Sequence, residues 1–320
     1  VSNSRSKLQH FLNAESASEV VFTRNATHSL NQVAHGLSWS KGDVVLTTDR
    51  EHNSNLVPWL QLEQEQGIDH RVVASNADNT FDMEAFEKSC ADAGSRLKLV
   101  SMSHVGNLDG VKIPLKEISK VAHDHGALVC VDGAQSTPHM NVDVQNLDID
   151  FLAFSVHKMC GPSGMGGLWG RYDLLDGLRT IQAGGQTVEN ATYDSIKWAS
   201  PPGRFEGGLG NFSGMIATGA AVDYLSNIDL NEVNKHEIRL NQIMTDGIKD
   251  LPGIEIIGPL DARKRGGICS VLMGDIPVHD IAILLDEAAG VMVRSGQHCV
   301  HSWFNSRGHP NGSLRASAYL

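Results

Sequence analysis

Short apolar, strand-like runs alternate with stretches of helical spacing along most of the chain, and no other feature narrows the possible folds as far. Strands are expected at 20–23, 44–47, 70–74, 97–102, 127–132, 150–155 and 166–170. Helices are expected between them at 26–37, 55–66, 82–93 and 114–125. In the first of these, Leu30, Val33, Ala34 and Leu37 fall on one side of a 3.6-residue period. Such alternation predicts an α/β fold with a mostly parallel sheet covered by helices on both faces. Residues 176–212 are Gly-rich and read as irregular. Beyond them, helices at 213–227, 231–250 and 278–289, short strands at 254–257 and 267–273, and the segment 290–294 read as a smaller α+β unit. The expected division is a large domain over 1–228 and a small C-terminal domain over 229–320, with no internal repeat and no low-complexity linker.

Composition excludes some partners. A net charge of −11 argues against nucleic acid and anionic membrane. No apolar run is long enough to span a bilayer, and the opening Val1-Ser2-Asn3-Ser4-Arg5 lacks a signal-peptide pattern. Five cysteines, odd in number and irregularly spaced, suit reduced thiols in a cytoplasmic protein.

In parallel sheets ligands bind at the carboxyl ends of the strands, and the polar residues of interest stand there. Asp132 closes the run Leu128-Val129-Cys130-Val131, and Lys158 follows Phe151-Leu152-Ala153-Phe154 after Ser155-Val156-His157. An acid and an amine at two successive strand ends are what a pyridoxal phosphate (PLP) enzyme needs. The Lys158 amine forms the Schiff base, and the Asp132 carboxylate keeps the pyridinium nitrogen protonated. Ser155 and His157 are placed to donate to the phosphate. Gln135, in the turn Gly133-Ala134-Gln135, can reach back to the phenolic oxygen. His52 follows another strand end and can stack on the ring, or simply cap a helix. Ala26 and Thr27 open a helix whose free N–H groups favour phosphate; an ordinary Asn or Thr cap is the plainer reading.

Gly161-Pro162-Ser163-Gly164-Met165-Gly166-Gly167 leads into a strand, not a helix, so it reads as a turn and not a dinucleotide loop. Cys299 lies in Arg294-Ser295-Gly296-Gln297-His298-Cys299-Val300-His301. Neighbouring cations favour a reactive thiolate there. The rival readings are a structural thiol, or a zinc site using His298, Cys299 and His301, which lacks a CxxC partner. Cys90, Cys130, Cys160 and Cys269 read as buried or neutral thiols, and His123 and His125 as helix-surface residues. Arg315 is a candidate for bidentate capture of a carboxylate, against the default of a surface arginine.

Taken together, these segments resemble the class V aminotransferase superfamily of PLP enzymes, fold type I, and most closely group II cysteine desulfurases and selenocysteine lyases. The resemblance runs from about Glu19 to Leu320. It rests on Glu51-His52 through Val57-Pro58-Trp59, Asn107, Asp132-Gly133-Ala134-Gln135, Ser155-Val156-His157-Lys158, Arg204-Phe205-Glu206, Arg294 through Cys299, and Arg315-Ala316-Ser317. It implies a catalytic set of Lys158, Cys299 and His52. The cofactor would be held by Ala26, Thr27, His52, Asn107, Asp132, Gln135, Ser155, His157 and Lys158, and the substrate by Asn107, Arg294 and Arg315. It also implies conversion of L-cysteine to L-alanine with a persulfide on Cys299, transfer of that sulfur to an acceptor protein for iron–sulfur cluster assembly, and a homodimer.

Three departures from the family pattern stand out. Ala26 replaces a threonine, Leu209 stands where a hydroxyl residue often reaches the partner's phosphate, and the family has a longer N-terminal segment and a C-terminal helix beyond Arg315. The small domain is therefore expected to be incomplete at its C-terminal end. The alternatives are another class V enzyme (selenocysteine lyase, aminotransferase or epimerase) or a PLP-fold binding protein without turnover.

Overall fold

The computed structural model describes residues 1–274 and 276–320. The chain opens with α1 (Ser2–Leu12), β1 (Val20–Thr23), α2 (Ala26–Gly36), β2 (Val44–Thr48), α3 (Val57–Gln66), β3 (Asp69–Val73), α4 (Met83–Ala93) and β4 (Leu97–Ser103). It continues with α5 (Leu115–Asp124), β5 (Leu128–Asp132), α6 (Ser136–His139), β6 (Phe151–Ser155), β7 (Gly166–Gly170), α7 (Tyr172–Gly177), β8 (Val188–Ala191), β9 (Ile196–Trp198) and α8 (Phe212–Ser226). Then follow α9 (Leu230–Ile248), β10 (Glu255–Ile257), β11 (Ile268–Leu272), α10 (Val278–Ala289), β12 (Arg294–Gly296), α11 (His301–Ser306) and β13 (Ser313–Ser317).

Seven strands form one sheet in the order β1-β7-β6-β5-β4-β2-β3, in which β7 alone runs against its neighbours. Alternate residues of one strand enter opposite layers. Val129 and Val131 join the cluster that includes Leu8 and Ile118, whereas Cys130 joins Leu30, Val33 and Trp59. Both faces are therefore covered by helices, and the central strands read as continuous apolar runs. Burying a side chain such as Phe151 or Phe154 contributes roughly 1.5–3 kcal/mol, and both are fully buried.

Side-chain caps begin several helices. Asn25 Oδ1 accepts from the His28 N–H at 2.9 Å at the start of α2, and Asp82 Oδ1 from the Ala85 N–H at 2.9 Å at the start of α4. A second sheet, β10-β11-β13-β12, is antiparallel and carries Arg294 and Arg315.

Several expectations need correction. The stretch 176–212 holds the end of α7 and the hairpin of β8 and β9, whose strand residues are mostly exposed and so lack a buried apolar face. In the segment 290–294 only Arg294 is strand, because Gly290 turns the chain at φ 63° after α10. Cys160 is exposed, in the turn after Lys158. His123 is not a plain surface residue: its Nε2 lies 2.8 Å from the buried Asp150.

Candidate active site

Two glycines let the backbone close around the strand ends. A Cβ at Gly133 would meet Leu152 Cδ1 at 2.6 Å, so only glycine permits this turn to lie against β6. A Cβ at Gly166 would meet Asn25 Cα at 2.5 Å, so β7 approaches the start of α2 closely only because that side chain is missing.

The ends of β2, β4, β5 and β6 and the start of α2 then wall a cavity of about 240 Å³ with the second sheet. Ala26, Thr27, His52, Asn107, Asp132, Gln135, Ser155, His157, Lys158, Arg294 and Arg315 all line it, a convergence that the sequence order alone does not show. Cys299 is not in the wall. It stands at the edge, with Sγ 4.0 Å from Arg294 Nη2. A second cavity of about 440 Å³ shares Val105, Gln135, His157, Lys158 and Arg315 with the first, so Lys158 sits at the junction of the two.

The groups in the wall are set by their neighbours. Asp132 is buried, and its Oδ1 accepts from the Ala134 N–H at 2.9 Å. Among the described residues nothing donates to Oδ2. Lys158 has its pKa lowered by burial, with Asp132 opposing the shift and Arg315 and Arg294 adding to it. Burial lowers that of His52 too, again against Asp132. His52 Nδ1 accepts from the Ser54 N–H at 3.0 Å, which leaves the proton of the neutral ring on Nε2. His52 thus caps the turn at 53–55 and faces the cavity as well. His157 is lowered by burial and then by Lys158.

At the start of α2, the Ala26 N–H donates to Ser155 Oγ at 2.9 Å, and Thr27 Oγ1 lies 2.6 Å from Ser54 Oγ. The Thr27 N–H has no partner among the described residues, and it points where a helix start favours an anion. Arg315 is pushed down to about 10, by burial first and then by Arg294. Its Nη1 donates to the Asn107 carbonyl at 2.7 Å, while its buried Nε has no partner among the described residues.

Residues without a sequence assignment complete the site. Ser103 and Ser54 line the cavity. The strand-end rule that selected Asp132 also marks Ser103, its neighbour in register. Beneath them Glu51, 1% exposed, accepts from Thr48 Oγ1 at 2.6 Å, Asn55 Nδ2 at 2.7 Å and Ser103 Oγ at 2.6 Å. Burial raises its pKa, and those hydrogen bonds oppose the rise. No spacing signal marks Glu51, because its partners come from two strands and the turn at 53–55. Among the other thiols, burial pushes Cys90 up to about 12 and raises Cys130 further, so neither is a ready nucleophile.

The profile of the class-V aminotransferase family matches residues 1–320. A probable cysteine desulfurase of Halalkalibacterium halodurans is 39% identical, over 99% of this chain and 77% of that protein. The apo structure of a cysteine desulfurase from Thermococcus onnurineus superposes with a TM-score of 0.93 at 36% identity, covering 100% of this chain and 78% of that one. A cysteine desulfurase from Escherichia coli gives 0.92 at 31% identity, covering 99% and 78%. A mostly parallel sheet with a lysine and an acid at adjoining strand ends defines the class, and the chain belongs to the class-V aminotransferase family of enzymes, in its cysteine desulfurase group.

Proposed function

We propose that this protein removes sulfur from L-cysteine, releasing L-alanine and keeping the sulfur as a persulfide on Cys299. The observation that carries the reading is the meeting of Lys158, Asp132, Arg294 and Arg315 in one cavity, with Cys299 beside Arg294. The groups left free there suit PLP. The Asp132 Oδ2 would pair with the ring N–H, and the Thr27 N–H, Ser155 and His157 would hold the phosphate. Gln135 would bond the phenolic oxygen, and His52 would cover the ring. When bound, PLP supplies the electron sink that lets a proton leave the substrate Cα.

The chain's own residues do the rest. Arg315 binds the substrate carboxylate through its unpartnered Nε–H, with Arg294 adding positive charge and Asn107 completing that wall. Burial lowers the pKa of Lys158, which favours the neutral amine, and its Nζ takes the Cα proton and returns it. The Cys299 thiolate attacks the substrate sulfur. The Cβ–S bond breaks, its electron pair stays with Cβ, and Cβ takes a proton. L-cysteine and the Cys299 thiol thus become L-alanine and the Cys299 persulfide, with no outside oxidant.

The persulfide then passes to an acceptor protein, in our reading for iron–sulfur cluster assembly in the cytoplasm. Five free thiols support a reducing compartment. A homodimer is supported by exposed Ile196, Leu209, Phe212 and Ile216 around the Gly-rich segment 203–210. The chain is proposed to divide at 228, between α8 and α9. A second reading, selenocysteine cleavage, draws on the position of Cys299 outside the cavity wall, since selenium leaves more readily without a protein thiol. Incubation of the PLP-loaded protein with L-cysteine and a dithiol reductant tests the proposal: alanine is expected, with sulfide released as the reductant reduces the persulfide, whereas a keto acid or no product overturns it.

A further inference from the structure

Two neighbours in the reactive loop, His298 at φ 51° and Cys299 at φ 62°, hold left-handed backbone. No other adjacent pair of non-glycine residues does so among the described residues. A residue with a Cβ keeps this conformation only where its surroundings fix it. Here the fixing groups come from the ends of the parallel strands. The Asn107 side-chain amide, after β4, donates to the His298 carbonyl at 2.7 Å. The Asn53 N–H, after β2, donates to the Cys299 carbonyl at 2.7 Å. His298 is 3% exposed, and its Nε2 lies 2.9 Å from Ser313 Oγ.

We propose that Asn107 is a positioning residue for Cys299: its side-chain amide catches the His298 carbonyl and holds the Cys299 loop in its left-handed turn. The proposal rests on the reading of Cys299 as sulfur carrier and gives Asn107 a task beyond ligand contact. The Asn53 donor is backbone and present whatever the residue; the Asn107 donor is a side chain and so is specified by the sequence. Asn107 is 7% exposed, and its own carbonyl accepts from Arg315 Nη1 at 2.7 Å. One residue thereby joins the carboxylate-binding arginine to the thiol-bearing loop. Without the amide, the His298 carbonyl loses a buried partner, and only the Asn53 N–H and the Ser313 contact remain to hold the two left-handed residues.

Amide hydrogen exchange on the full chain, with PLP bound and after its removal, tests this in Asn107→Ala and in Asn107→Asp, which matches the size but cannot donate. The reporters are the Asn53 N–H, which donates to Cys299, and the Val300 N–H, which donates to Gln297 at 2.8 Å. Both are expected to exchange at least tenfold faster in either variant, relative to amides of the β4–β5 ladder in the same molecule. That ratio stays meaningful if a variant is less stable overall. Unchanged ratios alongside weakened L-cysteine binding would overturn the proposal and leave Asn107 a ligand residue only. Should Cys299 not carry the sulfur, the exchange result stands while the persulfide appears elsewhere, so the two failures are distinct.

Discussion

Arg294 on β12 and Arg315 on β13 stand directly opposite each other in an antiparallel pair, and both line the cavity that contains Lys158. Like charges in such positions repel, and the partly buried Arg315 keeps an unpartnered Nε. A bound anion offsets both penalties, so the pair reads as a carboxylate site and not as a structural contact.

Replacing Arg315 with Ala is therefore expected to weaken L-cysteine use about a hundredfold in kcat/KM, since a hydrogen bond to a charged group is worth ~1.5–3 kcal/mol. Arg315→Lys should recover only part, because a point charge cannot reproduce the guanidinium fork. Steady-state kinetics decide the matter; an unchanged KM in Arg315→Ala removes the carboxylate assignment.

Lys158 should carry PLP covalently. Its partial burial and its place beside Asp132 single it out among the lysines of the chain. Borohydride reduction followed by peptide mapping should locate the pyridoxyl group on Lys158 and lose it in Lys158→Ala. A pyridoxyl group mapped to another lysine contradicts the assignment.

Asp132→Asn should retain PLP but slow turnover by at least about 3 kcal/mol of barrier, as loss of a focused electrostatic stabiliser does. The amide keeps the shape and the Ala134 contact while losing the charge. Absorbance of bound PLP and turnover, measured together, separate the two effects; near-normal turnover refutes the role.

Acid should loosen the protein through His104 and His298. Burial pushes each down to about 4, His104 with help from Lys112 and His298 with help from Arg315 and Arg294. Between the ordinary histidine value of about 6.5 and 4, the unfolded chain binds protons that the folded chain does not, so stability is lost as pH falls through that window. Urea midpoints at pH 7 and pH 5 should drop by the equivalent of about 1 kcal/mol or more. His104→Gln, which has no proton to gain, should show a shallower decline; a slope equal to the parent's rules out His104 as a source.

The seven-stranded sheet was legible in the sequence because β4, β5, β6 and β7 are almost wholly buried and write themselves as apolar runs. Asp132, Ser155 and Lys158 were legible for the same reason, since each follows such a run. β8 and β9 were not, because their mostly exposed residues carry no alternation. The helix α1 escaped notice in a polar segment with few apolar residues, although Leu8 and Leu12 are fully buried. The contact of Asn107 with His298 spans 191 positions, and no local pattern encodes it. His52 shows that two readings can hold together, for its Nδ1 caps a turn while its ring lines the cavity.

The central claim is that Cys299 carries the sulfur, and mass spectrometry after a single turnover with L-cysteine tests it most directly. Cys160 is the informative control, since it is exposed and lies two residues from Lys158. The account predicts one added sulfur atom on the peptide that contains Cys299, none on Cys160 or Cys269, and neither persulfide nor appreciable alanine from Cys299→Ala. A persulfide on Cys160, or full alanine production by Cys299→Ala, would contradict it.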